Sequence, residues 1–205
     1  PTDNILFKAV NTDKNCPWLI GHLESFVTHV WHPCLVATVS KNVKKICRTF
    51  LLETQGNDAG LEFMLHDFSF RSAPSMDAAG IGGMAHLTNF RGTDTVEAIR
   101  WARNYYNMPH GYALSVPASE HSVMTSLGRE GESKIVGDLI KKFPDGILSV
   151  VGDSYDIFNF CRSIMGHDHK QAILDRNGVF VVRPDSGDPV TVTLKVLEIL
   201  DKCFG

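Results

Sequence analysis

The feature that most constrains what this chain can fold into begins at Leu61. From there, short apolar or β-rich runs at residues 62–68, 85–90, 113–116, 146–151 and 179–182 alternate with segments of helical character. Successive runs start roughly 23 to 34 residues apart, about the size of one strand–helix–strand unit. Thr93-Asp94-Thr95 leads into VEAIRWARNYY, and Ser154 opens SYDIFNFCRSIM; residues of this kind suit helix N-caps. Strands alternating with helices predict an α/β fold built on a parallel sheet or barrel. Ahead of this rhythm, residues 18–53 carry apolar positions at helical spacing: Leu19, Leu23, Phe26, Val27 and Val30, then Val43, Ile46 and Leu51. Two N-terminal helices are expected there, broken near His32-Pro33, because proline disfavours helix at the residue before it. The expected division is a helical segment at 1–60 leading into a partial barrel at 61–205.

Each apolar run is followed at once by residues that apolar packing does not need. These are Asp67-Phe68-Ser69-Phe70-Arg71, Arg91-Gly92-Thr93-Asp94, Ser119-Glu120-His121-Ser122, Gly152-Asp153-Ser154 and Arg183-Pro184-Asp185-Ser186-Gly187. In a parallel barrel the loops after the strands share one rim, and that rim holds the active site. Taken singly, Asp94 and Ser154 suit helix caps, and Arg183 with Asp185 suits a local ion pair. Converging, they suit an anion or sugar site: a guanidinium forks onto phosphate or carboxylate, and carboxylates accept from hydroxyls. His121 at a strand end is placed for proton transfer or nucleophilic attack. A closed barrel takes eight strands and about 250 residues, so five strands give part of one. Pro1 at the start and the helical ending LKVLEILDKCFG give the expectation that both ends continue into a longer protein.

Composition narrows the classes. A net charge of −3 leaves no basic footprint for nucleic acid, and no run approaches the roughly 18 apolar residues of a membrane span. The 5 cysteines are odd in number and lack CxxC pairs, which suits free thiols in a reducing, cytoplasmic setting. His167 and His169 stand two apart, a spacing that does not share a helical face, so no protein-held metal is expected. Gly80-Ile81-Gly82-Gly83 lacks the spacing of a dinucleotide fingerprint.

The runs LLETQGNDAGLEFMLHDFSFRS, AGIGGMAHLTNFRGTDT, SVPASEHS, SVVGDSYDIFN and VVRPDSGDP, with the opening ILFKAVNTD, resemble the nicotinamide phosphoribosyltransferase family. The resemblance covers essentially the whole chain and implies a type II phosphoribosyltransferase: an irregular α/β barrel with a second mixed domain, in a homodimer with shared active sites. It implies transfer of phosphoribosyl from phosphoribosyl pyrophosphate to nicotinamide in NAD salvage, with magnesium carried on the substrate phosphates and ATP hydrolysis coupled to turnover. On that resemblance Phe68 stacks on the nicotinamide ring and Arg71 binds phosphate. Asp94 accepts from the carboxamide, Arg183 orients it, and Ser115 lies beside its pocket. Asp153 and Asp185 hold ribose hydroxyls and the phosphate–magnesium network, and His121 is the residue phosphorylated by ATP.

Three positions depart from the family pattern: Ser69 and Ser72 stand where glycines are usual, and Gly152 where a serine is common. The second aromatic face of the base site, further basic phosphate ligands and a glycine-rich phosphate loop are expected outside this sequence or from a partner subunit. The chain alone is therefore expected to be inactive. Nicotinate phosphoribosyl transfer is the nearest alternative, disfavoured because Asp94 would repel a carboxylate. A metal-dependent barrel hydrolase would want His-x-His at an early strand end. A barrel remnant serving as an interaction module would not need Asp94, His121, Arg183 and Asp185 together.

Overall fold

The computed structural model describes residues 4–205. It is a mixture of helix and short strand that divides into two compact units, 1–115 and 116–205.

The first unit opens on one long helix, α1 (Leu19–Gln55), which ends at Gly56 in the left-handed conformation that glycine tolerates best. The expected break at Pro33 does not occur, and the helix runs through it. Proline in a helix interior removes one hydrogen bond and crowds the preceding turn, at a cost of about 3 kcal/mol. Contacts on both sides of Pro33 hold the helix together. The His32 ring lies against Gly82, Asn89 Nδ2 donates to the Ala37 carbonyl at 3.0 Å, and Lys44 Nζ donates to the Asn89 carbonyl at 2.5 Å.

After a 3₁₀ turn at Leu61–Phe63 come β1 (His66–Asp67), a second 3₁₀ turn at Ser69–Arg71, α2 (Met76–His86), β2 (Gly92–Thr93) and α3 (Val96–Tyr106). β1 and β2 are parallel, with His66 opposite Gly92 and Asp67 opposite Thr93, and Leu114 adds a parallel bridge to Gly92. The strand expected at 85–90 is instead the end of α2 and the turn after it. A short apolar run reads alike as buried strand or buried helix. Here its small residues settle the matter by packing: a β-carbon on Gly83 would come within 2.4 Å of Ala98 Cβ, and one on Gly80 within 2.2 Å of the Trp101 ring. The glycine group is thus the seat for α3, which buries Ala98 and Ala102 with Met84 and Leu87.

The second unit carries α4 (His121–Met124), α5 (Gly128–Lys142), β3 (Leu148–Val151), α6 (Ile157–Asn159), a π-helical stretch at Phe160–Asp168, α7 (Lys170–Leu174), β4 (Phe180–Arg183) and α8 (Pro189–Phe204). β3 and β4 pair in parallel from Leu148–Phe180 to Val151–Arg183, and Ala118 bridges to Ser149 on the other side. Leu148, Val150 and Val151 are fully buried, with Met124, Val136, Phe160 and Cys161 around them. β3, buried on both faces and joined to β4 through helices, follows the parallel pattern expected, while β4 is half-buried with Val181 exposed. Ser154 is not the cap of the following helix. Asp156 is, accepting from the amides of Phe158 at 2.9 Å and Asn159 at 3.1 Å, because a carboxylate one residue ahead of the helix reaches two orphan donors at once. No helix among the described residues is long and apolar enough to cross a membrane.

Candidate active site

In the first unit the polar residues gather where β1 and β2 end. Asp94 follows β2, and its backbone amide donates to the Asp67 carbonyl at 2.9 Å, which fixes the turn. Its carboxylate is exposed, and Thr95, not Asp94, takes the N-cap position of α3. The Ser115 hydroxyl donates to Asp94 Oδ1, and His66 Nε2 lies 3.2 Å from the same oxygen. That nitrogen is buried and lacks an aligned hydrogen bond among the described residues, so the contact is one of charge proximity. Phe68 is half exposed, and its ring tilts against His66 with centroids 4.7 Å apart. Arg71 closes the second 3₁₀ turn and is exposed. A cavity of about 1200 Å³ opens beside these groups, lined by His66, Asp67 and Phe68 with His29, His32 and Trp101.

Arg91, which the sequence places in the same cluster, is taken up structurally. It donates to Glu62 at 2.6 Å and to the Tyr112 carbonyl at 2.9 Å, and lies over the Phe63 and Tyr112 rings.

In the second unit the ends of β3 and β4 gather His121, Asp153, Arg183 and Asp185. Asp153 is their pin. Its Oδ1 lies 3.0 Å from His121 Nε2; its Oδ2 accepts from Ser186 Oγ at 2.5 Å and from the Asp185 amide at 3.1 Å. Burial alone would raise the Asp153 pKa, but the hydrogen bonds from Ser186, His121 and Asp185 outweigh it, and the net shift is downward. Arg183 donates to Asp185 at 3.0 Å and to the Ser119 carbonyl at 3.3 Å. The other His121 nitrogen, Nδ1, stands 3.9 Å from Asp185 Oδ2. Asp185 keeps about half of its side chain exposed, whereas that of Asp153 is 6% exposed.

With the Asp153 carboxylate accepting from Nε2–H, Nδ1 is the ring nitrogen left facing Asp185. One cluster thus pairs a nucleophilic ring nitrogen, an exposed carboxylate and a guanidinium. Among the described residues no three His, Cys, Asp or Glu side chains are grouped to hold a metal by themselves. An exposed Asp185 beside a buried Asp153 does suit magnesium carried in on phosphates, which needs only one or two carboxylates.

A family model described as the nicotinate phosphoribosyltransferase (NAPRTase) family matches residues 63–205. The chain belongs to that family. It is 44% identical over 209 aligned residues to the nicotinamide phosphoribosyltransferase of Xanthomonas campestris pv. campestris (strain 8004), covering 100% of this chain and 44% of that protein. It is 34% identical to the enzyme of that name from Acinetobacter baylyi, over 90% of this chain and 38% of the relative. Against the one from Mycoplasma genitalium it is 33% identical, over 89% and 38%. The chain therefore spans less than half the length of these relatives.

Three residues in these clusters receive no individual role from the sequence. His66 gave no reason to differ from the other histidines, yet it stands beside Asp94; its position directly before Asp67-Phe68 was the available signal. Ser186 was visible only as part of a loop. Ser119 is buried, accepts from the Val151 amide at 3.0 Å, and ties the segment before α4 to β3.

Proposed function

We propose that this chain supplies base-binding and phosphate-side residues of a nicotinamide phosphoribosyltransferase, which joins nicotinamide to phosphoribosyl pyrophosphate to give nicotinamide mononucleotide and pyrophosphate. The observation that carries this is the state of Asp94. One carboxylate oxygen faces Ser115 and His66, while the other accepts no hydrogen bond from a described residue. An open acceptor beside the Phe68 ring suits a flat aromatic amide: Phe68 stacks on the ring and Asp94 takes the carboxamide N–H. The relatives, nicotinamide phosphoribosyltransferases by name, agree with that substrate. A ring bearing a carboxylate would meet Asp94 charge to charge. The parallel pairings in both units suit part of an irregular (β/α) barrel of type II, with 1–60 leading into it and 61–205 forming it.

On this reading Arg71 and Arg183 serve phosphate and amide, and Asp185 faces the sugar. As pyrophosphate leaves, positive charge develops at the sugar carbon, and carboxylates held by fixed hydrogen bonds stabilise it without reorganising. Asp153 keeps Asp185 and His121 in place rather than reaching outward. Magnesium, held by the phosphates and Asp185, would neutralise phosphate charge. His121 would take a phosphoryl group from ATP on Nδ1, coupling hydrolysis to transfer. A homodimer with shared sites and a cytoplasmic setting complete the proposal, and the chain alone is inactive.

The test places this chain in a complete enzyme by exchanging it for the matching segment of the Xanthomonas relative. The chimera should form nicotinamide mononucleotide, faster with ATP, while the isolated chain forms none. Asp94→Ser should raise nicotinate use relative to nicotinamide by about tenfold, worth roughly 1.4 kcal/mol. His121→Ala should abolish acid-labile phosphate on the protein and ATP stimulation while leaving slow transfer. A chimera that prefers nicotinate would overturn the amide reading, and ATP stimulation surviving in His121→Ala would remove the role given to that histidine.

A further inference from the structure

His66 lies between the two groups to which the base is assigned, and nothing in its surroundings makes it a mere filler. Its ring occupies the space left by the absent side chain of Gly92: a β-carbon there would stand 2.6 Å from Nδ1. The backbone of β2 thus sets which way the ring points. Nε2 is turned toward Asp94, buried, and without an aligned partner among the described residues. The same ring lies tilted against Phe68.

We propose that His66 is a positioning residue that holds the Asp94 carboxylate and, by its own charge, sets how strongly an anionic ring substituent is refused. This rests on the reading of Asp94 as the amide acceptor. The Ser115 hydroxyl donates to Oδ1, and His66 Nε2 stands 3.2 Å from the same oxygen as a neighbouring charge centre rather than an aligned donor, so that together they keep Oδ2 for the base. Neutral His66 does so without offsetting the Asp94 charge. Protonated His66 places a full positive charge 3.2 Å from Oδ1, and the repulsion felt by a carboxylate on the base falls. The sign follows: a proton gained by His66 weakens the preference for amide over acid. The other titratable groups facing His66 are Asp67, next to it on β1, and His86 from α2. Burial lowers the His86 pKa, which favours its neutral form beside His66.

The experiment uses the chimera in which this chain replaces the matching segment of the Xanthomonas relative. Side-chain ¹⁵N NMR of the base-free protein reports the His66 ring in wild type and in Asp94→Asn. Titrations with nicotinamide and with nicotinate, at about pH 6 and about pH 8, follow wild type, His66→Gln and His66→Ala. The His66 signals should move in Asp94→Asn. The wild-type affinity ratio of amide to acid should be roughly fivefold smaller at the lower pH, what about 1 kcal/mol is worth. His66→Gln keeps a donor without a titrating charge, so it should bind nicotinamide within about twofold of wild type with a ratio that ignores pH. His66→Ala should lose nicotinamide affinity. Unmoved ring signals in Asp94→Asn, or a ratio in His66→Gln that still follows pH, overturn the proposal. A chimera that binds neither base sinks the base-site reading, and the selectivity with it. The base-free spectra then still decide whether His66 holds Asp94.

Discussion

Two buried carboxyl groups in the second unit respond to pH in opposite directions, because their surroundings favour opposite protonation states. Asp153 is held ionised by Ser186, His121 and the Asp185 amide against the pull of burial. A carboxylate whose folded pKa is depressed stabilises the fold above its unfolded pKa and loses that contribution as pH falls through the folded value. Glu132, on α5, is 3% exposed and has an oxygen without a partner among the described residues; burial raises its pKa, with Arg129 opposing. Its sign is reversed, since the folded state binds the proton more tightly, and stability falls as pH rises through the ordinary glutamate range. Thermal melts against pH should therefore show Asp153→Asn losing stability near neutrality and converging on wild type in acid. Glu132→Gln should gain stability near neutrality, with the gain shrinking as pH falls. Parallel melting curves for either variant at all pH values would show that its charge state is not what matters. The sequence located Asp153 as a site candidate. It offered no reason to single out Glu132, whose burial depends on packing across elements.

At the scale of elements, glycines decide how closely neighbours approach. Gly152 ends β3, and a β-carbon there would stand 2.6 Å from the Phe160 ring and 3.0 Å from Ile157 Cδ1. Phe160 is fully buried in the core, so its ring has little room to yield. The departure at Gly152 from the serine common in the family thus has a local cause: a large ring already fills the space. Gly152→Ser should cost about 1–3 kcal/mol, as overpacked cores do, and should displace Asp153 next to it. Phe160→Ala leaves a cavity and costs about 3–5 kcal/mol alone. In the double variant the serine should be tolerated far better than in wild type, a coupling that a double-mutant cycle by urea denaturation measures directly. Strictly additive losses would mean that the two residues do not compete for the same volume. The same logic acts at Gly80 and Gly83, where the sequence shows only a glycine group without the spacing of a dinucleotide fingerprint. Their use became visible once Ala98 and Trp101 were seen against them.

At the scale of the whole molecule, α1 carries more apolar surface than the described residues cover. Phe26, Val30, Trp31, Leu35, Val39, Ile46 and Phe50 are each between 51 and 68% exposed. A long helix with this much apolar surface exposed suits an association surface, the part it is given in the proposed dimer. Sedimentation of the 205-residue chain should show concentration-dependent association, and Phe26→Ser with Ile46→Ser should shift it toward monomer; a wild type that stays monomeric at all concentrations would remove α1 from the interface. The sequence alone placed β1, β3 and β4 at the runs 62–68, 146–151 and 179–182 and the polar residues after them, while the run at 85–90 closes a helix instead. These placements follow from local periodicity, and a strand buried on two faces followed by charge leaves few other readings. Tertiary structure decided the rest. Pro33 stays in its helix because His32 and Ala37 are held from outside, and residues 85–86 close α2 because α3 packs on its glycines. Asp153 became a pin because a loop 32 residues away folds back to donate to it. Each of these depends on groups distant in the chain, so no window of sequence could contain it.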